Sequence, residues 1–173
     1  MSLRPSIEDV RKLGMHASYF NWGLTFLDLP AGLSGFEKSD LNTRAVSFSP
    51  PERTQQKATI ELRGHKVFQH GIMDYSDSLE LIIHETTDRK VGTFFENWMN
   101  LQWTPISGVQ IPKSANQAIF FLHLLDSEDV EKKVYTIIGA WPTSLSHGGN
   151  YDASNNDTVK YTVQFAYDYY LTV

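Results

Sequence analysis

Residues 158–170 alternate without interruption. Val159, Tyr161, Val163, Phe165, Tyr167 and Tyr169 fall on one parity, and Lys160, Thr162, Gln164, Ala166 and Asp168 on the other. A period of two carried by β-branched and aromatic residues marks a half-buried antiparallel strand. Such a strand spans roughly 40 Å at about 3.3 Å per residue, against a usual length of about 5–6 residues. It needs long neighbours, or its unpaired backbone becomes an edge that invites another chain. Before it, an apolar run ends in a Gly139-Ala140-Trp141-Pro142 break, and a turn-rich connection of Ser, Gly, Asn and Asp follows.

The rest of the chain supplies shorter elements. Residues 6–13 read as one short helix with Ser6 as N-cap, acids in its first turn, bases in its last and Gly14 as C-cap. Residues 17–29 read as a strand in one or two pieces meeting near Gly23, and residues 32–43 as a loop. Residues 44–49 form a short strand stopped by Pro50-Pro51. Residues 57–63 alternate cleanly, and residues 64–76, with Gly71 at their centre, read as an extended hairpin or arm. Residues 79–84 are a strand. Thr86 or Thr87 is expected to cap a helix running to about residue 101, whose Val91, Phe94, Phe95 and Trp98 recur at the spacing of an amphipathic helix. Residues 104–116 form a loop, and residues 117–125 and 134–140 are strands around a turn at 126–129. The reading is mainly β: an antiparallel β-barrel or sandwich with one packed amphipathic helix and a short N-terminal helix, in a single domain over residues 1–173.

Composition narrows function. The chain has no cysteine, so disulfide frameworks and thiolate metal sites are excluded. No run approaches the roughly 18 apolar residues of a spanning helix. The first residues lack a signal peptide's apolar core, so synthesis and folding in a cytoplasm are expected. A net charge of −5, without a basic block, argues against tight binding of nucleic acid, whose affinity comes mostly from phosphate neutralisation.

Side chains with chemical potential do not converge. His84-Glu85 lacks the second histidine of a metalloprotease helix. His65 and His70 are five apart with no nearby carboxylate, and read as solvated hairpin residues. Ser144 and Ser146 lie near His147 without a nucleophile elbow. Asp74 with Asp77, and Asp152 with Asp157, sit in turn-like stretches where Asp serves local hydrogen bonds. Gly148-Gly149 reads as a turn, not a phosphate loop. Trp103 and Trp141 could serve a sugar-binding sandwich as platforms, although such residues are more often core or interface anchors. No enzyme, cofactor or metal is expected.

One resemblance joins these features. Gly139, Trp141-Pro142-Thr143, the turn residues Asp152, Asn155 and Asn156, the aromatic end Tyr167 to Tyr170 and the helix face with Phe95 and Trp98 together resemble the tail tube protein of contractile-tailed bacteriophages. Agreement is best from about Lys57 onward, and the loop at 30–42 is longer than the pattern. The resemblance implies hexameric rings that stack into the inner tail tube, a conduit for DNA and a scaffold for the contractile sheath. The implied partners are the sheath, baseplate and tube-terminator proteins and passing DNA, and the implied location is the virion tail. Tubes of type VI secretion and extracellular injection machines share the architecture, and a baseplate sugar-binding sandwich is the alternative from another class. On this reading Lys160, Thr162, Gln164 and Asp168 face the lumen. Phe165 packs on Phe94, Phe95 and Trp98. An arm with Arg63, His65, Lys66 and His70 reaches a neighbouring subunit or ring.

Overall fold

The computed structural model describes residues 7, 17–33, 35–36, 38–76, 78–104, 106–149, 154 and 156–173. Apart from Ile7, the expected helix at 6–13 lies outside them, as do Asp77, Asp152 and Asn155. The elements run β1 (Trp22–Asp28), α1 (Lys38–Arg44), β2 (Ala45–Phe48), β3 (Arg53–Leu62), β4 (His65–Tyr75), β5 (Leu79–His84), α2 (Lys90–Gln102), a 3-10 turn (Lys113–Ala115), β6 (Ala118–Leu125), β7 (Glu131–His147), β8 (Lys160–Ala166) and β9 (Tyr169–Thr172). Strands β1-β6-β7-β8-β5-β2 form one sheet in that order, with β9 on β7 as its seventh strand, while among the described residues β3 and β4 pair only with each other. Every pairing is antiparallel. The fold is mainly β and sandwich-like, and the sheet does not close into a barrel.

Periodicity explains the core. In β5 the residues Leu79, Leu81 and Ile83 are buried, and in β8 Tyr161, Val163 and Phe165 are. Both rows face α2, whose Val91, Phe94, Phe95 and Trp98 are buried too. The other half of the sheet reaches the same helix through Phe26, 6.0 Å from Trp98 between ring centroids. Phe120 links the halves, at 4.6 Å from Phe26 and 4.9 Å from Phe165. Phe165 also lies 5.9 Å from both Phe95 and Trp98. Each such side chain contributes about 1.5–3 kcal/mol by leaving water.

The start of α2 differs from the Thr86 or Thr87 cap read from sequence. Arg89 occupies the N-cap position with φ 54° and makes no side-chain cap. The buried Glu85 replaces it, accepting N–H bonds from Thr86 at 2.9 Å, Val91 at 3.3 Å and Gly92 at 2.7 Å. A carboxylate at the positive end of the helix satisfies donors that have no intrahelical partner. Gly92 is what lets it approach: a Cβ there would sit 2.7 Å from the Tyr161 hydroxyl and 3.3 Å from Glu85 Oε2. Gly→Ala inside a helix ordinarily gains about 1 kcal/mol. Gly92→Ala is expected to reverse that sign, because overpacking costs about 1–3 kcal/mol. A urea melt that shows stabilisation would refute the packing described.

Three expectations fail in the second half of the chain. Trp141-Pro142 does not break the strand, because β7 continues through it for 17 residues. Beyond Ala140 its only strand partner among the described residues is β8, and a strand with one neighbour tolerates a missing proline donor. The long terminal strand is split into β8 and β9. Both run along the same edge of β7, with Trp141 opposite Ala166 and Ile138 opposite Tyr169. The bend between them places Asp168 opposite Gly139, and Asp168 N donates to the Ile138 carbonyl at 3.0 Å. Parity changes at that bend, so Tyr169 is exposed and Tyr170 buried, the reverse of the sequence reading.

Gly139 carries the bend. Its φ is +72°, and an added Cβ would overlap the Asp168 carboxylate. Gly139→Ala is expected to lose about 1–2 kcal/mol to left-handed backbone and about 1–3 kcal/mol to overpacking. A drop in melting temperature of several degrees checks it. A further correction is α1, which stands where residues 32–43 were read as loop. Leu41 is fully buried there, and Phe36 just before it stacks on Phe94 at 4.6 Å. Residues 17–21 also fall outside β1, leaving Tyr19 and Phe20 in an exposed turn.

Candidate functional site

The hairpin β3–β4 stands off the main sheet. Its strands have 10 and 11 residues and are exposed almost throughout. Arg63 and Gly64 join them with φ 48° and 81°, the left-handed pair of a tight hairpin turn. From sequence this element reads as two, a strand over residues 57–63 and an extended hairpin or arm over 64–76. Alternation on both sides of Arg63-Gly64 was the available signal for one hairpin. Its root is held by Ser76 N donating to the Glu52 carbonyl at 2.9 Å and by Tyr75 packed against Tyr170 at 5.6 Å.

Register divides the outer part of the arm into two unlike faces. Ile60 opposes Val67, Ala58 opposes Gln69 and Leu62 opposes His65, giving a mostly apolar face. On the other, Lys57 opposes His70, Thr59 opposes Phe68 and Glu61 opposes Lys66. Lys57 Nζ lies 4.9 Å from the Phe68 ring centroid, and Lys66 Nζ lies 3.4 Å from Glu61. A bulge between Gln55 and Lys57 separates this tip from the root. There a Cβ on Gly71 would come within 2.7 Å of the Gln56 carbonyl oxygen. His65 and His70 therefore point to opposite faces and cannot share a metal. Among the described residues no group of three or more His, Cys, Asp or Glu could hold one.

An isolated two-stranded hairpin is marginally stable in water. This one also exposes large apolar side chains, including Leu62 at 68%, Phe68 at 57% and Ile72 at 72%. Among the described residues nothing pairs with the outer backbone edges of its two strands, a template for another chain. The arm is built to be covered.

The second surface is the sheet face turned away from α2. Gln164 lies between Glu80 and Ser144, and Thr162 between Ile82 and Ser146. Lys160, beside His84, continues that face. Asp168 does not share the row: it lies at the bend, ion-paired to Lys113. Lys113 also sits 4.3 Å from the Trp141 ring centroid, so a cation occupies the ring face a sugar would need. Trp103 is 54% exposed. Ser144 and Ser146 lie on the open face, whereas the His147 ring packs against Tyr161 at 4.8 Å, which leaves no nucleophile–base pair. The Asp74 carboxylate accepts a bond from the Gln56 amide, a local structural use.

No protein-family model matches the chain, and no curated protein matches it in sequence. A chain in a cryo-EM structure of the PVC sheath/tube terminator, from an extracellular contractile injection system in the extended state, matches with a TM-score of 0.67 at 15% identity, over 93% of this chain and 99% of that one. A chain in the six-fold symmetrised baseplate of the anti-feeding prophage matches with a TM-score of 0.63 at 15% identity, over 92% and 97%. A chain in the extended PVC sheath–tube complex matches with a TM-score of 0.59 at 16% identity, over 98% and 99%. At these identities the likeness is one of fold.

Proposed function

We propose that this chain is an inner-tube subunit of a contractile tail or injection machine, a structural protein acting as one domain over residues 1–173. Six copies form a ring, and rings stack into a hollow tube inside the sheath. The observation that carries this reading is the amphipathic arm, whose exposed apolar face and open edges call for a neighbouring copy. Arg63, His65, Lys66 and His70 lie in the outer part of that arm and contact the neighbour. The sheet face with Lys160, Thr162 and Gln164 lines the lumen. Its mixed, nearly balanced polarity suits a conduit, since a basic wall would hold passing phosphates. Asp168, held by Lys113, stabilises the bend instead of lining the wall.

Sheath, baseplate and tube-terminator proteins are the partners of such a tube, DNA is its passing cargo in a phage, and the phage tail is its location. The same geometry serves an extracellular injection machine. That second reading is favoured by the fold matches to chains in particles of that kind, and a terminator or initiator position belongs to it. Negative-stain electron microscopy of the purified chain at high concentration tests the proposal. Rings or hollow tubes of uniform width are expected. A monodisperse monomer at every salt concentration overturns it.

A further inference from the structure

A shallow cleft of about 400 Å³ lies between the start of β1 and the start of β2. Tyr19, Phe20, Trp22, Asn42, Ala45 and Val46 line it. It is open and of mixed polarity, and its apolar side chains are uncovered: Tyr19 is fully exposed, Phe20 is 80% exposed and Val46 is 39% exposed. Asn42 shapes its floor by accepting the Leu24 N–H at 2.9 Å through Oδ1. That bond satisfies one donor on the outer edge of β1, so this strand is not offered there for simple edge pairing.

The turn that follows β6 is tied to the same segment. Asn21, between two lining residues, donates from Nδ2 to the Asp126 carbonyl at 3.0 Å, and its own carbonyl accepts Leu125 N at 3.0 Å. These bonds fix the turn at 126–130 beside the cleft. That turn carries Asp126, Glu128 and Asp129, and Asp126 is ion-paired to Lys132 at 3.0 Å. The Asp126 carboxylate is held below the usual aspartate range, first by the Val130 N–H and then by Lys132 and the Glu128 N–H. Glu131 lies 2.5 Å from His123 Nδ1. Glu128 and Asp129 are exposed at the surface.

The arm is the chemical complement of this surface. Residues 53–75 carry four bases (Arg53, Lys57, Arg63 and Lys66) against two acids (Glu61 and Asp74) in a chain of net charge −5, so the remainder is more acidic than the whole. At the tip, basic Arg63 adjoins the apolar face of Ile60, Leu62 and Val67, while Lys66 lies on the other face, paired with Glu61. Position matches too. The arm springs from the Leu79 end of β5, through the Ser76 to Glu52 bond, whereas the cleft lies at the other end, where Ala45 pairs with Ile83. An arm of roughly 35 Å outreaches the roughly 20 Å of β5, at about 3.3 Å per residue. Both surfaces are exposed in one copy, so they do not satisfy each other there.

We infer that the apolar face of the arm of one copy seats in the Tyr19–Phe20–Val46 cleft of the next, with Arg63 against the exposed Glu128 and Asp129 of the turn after β6. This rests on the proposed tube reading and names the surface that receives the arm. The contact is head-to-tail, so each copy offers one arm and one cleft and the chain of contacts propagates. Apolar burial supplies the affinity, while the opposed charges steer and orient the encounter and weaken with salt.

A chain without cysteine allows a direct test. Leu62→Cys and Val46→Cys combined in one chain, treated with a short bis-maleimide, are expected to yield a ladder of covalent multimers. Each single variant stays monomeric on a denaturing gel, and an equal mixture of the two stops at dimer. Val46→Glu gives a second readout, with unchanged melting and at least tenfold weaker assembly. Tubes by microscopy without a ladder, or Val46→Glu tubes at the parent's concentration, overturn this pairing and leave the tube reading intact. A parent chain that never assembles overturns both.

Discussion

Removing the arm is expected to leave a folded subunit that no longer assembles. Replacing residues 54–74 by a two-residue turn joins positions already close at the root, where Ser76 bonds to Glu52. The body should melt within a few degrees of the parent, because among the described residues β3 and β4 pair only with each other and contribute no row to the helix-covered core. Assembly is another matter. Ile60, Leu62, Val67, Phe68, Ile72 and Met73 are all exposed in the single copy. Covering each would contribute about 1 kcal/mol, a fraction of the roughly 1.5–3 kcal/mol for complete burial. Six of them amount to about 6 kcal/mol, or roughly 10⁴-fold in association. Sedimentation velocity of parent and truncated chain reads both quantities at once. A truncated chain that still forms rings at the parent's concentration would remove the arm from the assembly.

The second large effect is a contrast between adjacent residues. Phe165→Lys is expected to unfold the subunit, and Gln164→Lys to leave it intact. Phe165 is fully buried against Phe95, Trp98 and Phe120. Losing a buried Phe costs about 3–5 kcal/mol, and an unpaired buried charge adds several more. Their sum approaches the whole stability of a typical domain, about 5–15 kcal/mol. Gln164 faces the other way, and its cross-strand neighbour is Glu80, so a lysine there meets an opposite charge worth about 0.2–1 kcal/mol. Thermal melts followed by circular dichroism decide it. Equal losses at the two positions would mean that the assigned faces of β8 are wrong, and with them the lumen wall.

Local pattern was enough for the elements whose neighbours merely accept them. Alternation in residues 79–84 and 160–166 and the helical spacing of Val91, Phe94, Phe95 and Trp98 identified the rows that meet in the core. Patterns of this kind are set by which side of one backbone is wet. The paired hairpin was half legible, since the bases and histidines near Arg63-Gly64 marked a polar arm. That both of its strands stand apart from the sheet was not.

The misread features all depend on residues far away in the chain. Trp141-Pro142 looks like a stop because proline lacks a donor, yet β7 passes through it where, among the described residues, only β8 is beside it. The terminal alternation looks like one strand, yet it bends where Gly139, nearly thirty residues upstream, makes room for Asp168. Glu85 caps α2 because Gly92, with no Cβ, leaves space for its carboxylate. Leu41 turns a polar loop into α1 because a hydrophobic site awaits it. The cleft at Tyr19 and Phe20 exists because β1 begins later than its apolar run. Side-chain periodicity records exposure along one segment and so declares itself in sequence. Edges, bends and clefts are made by the meeting of separate segments, and their energies arise only when those segments come into contact.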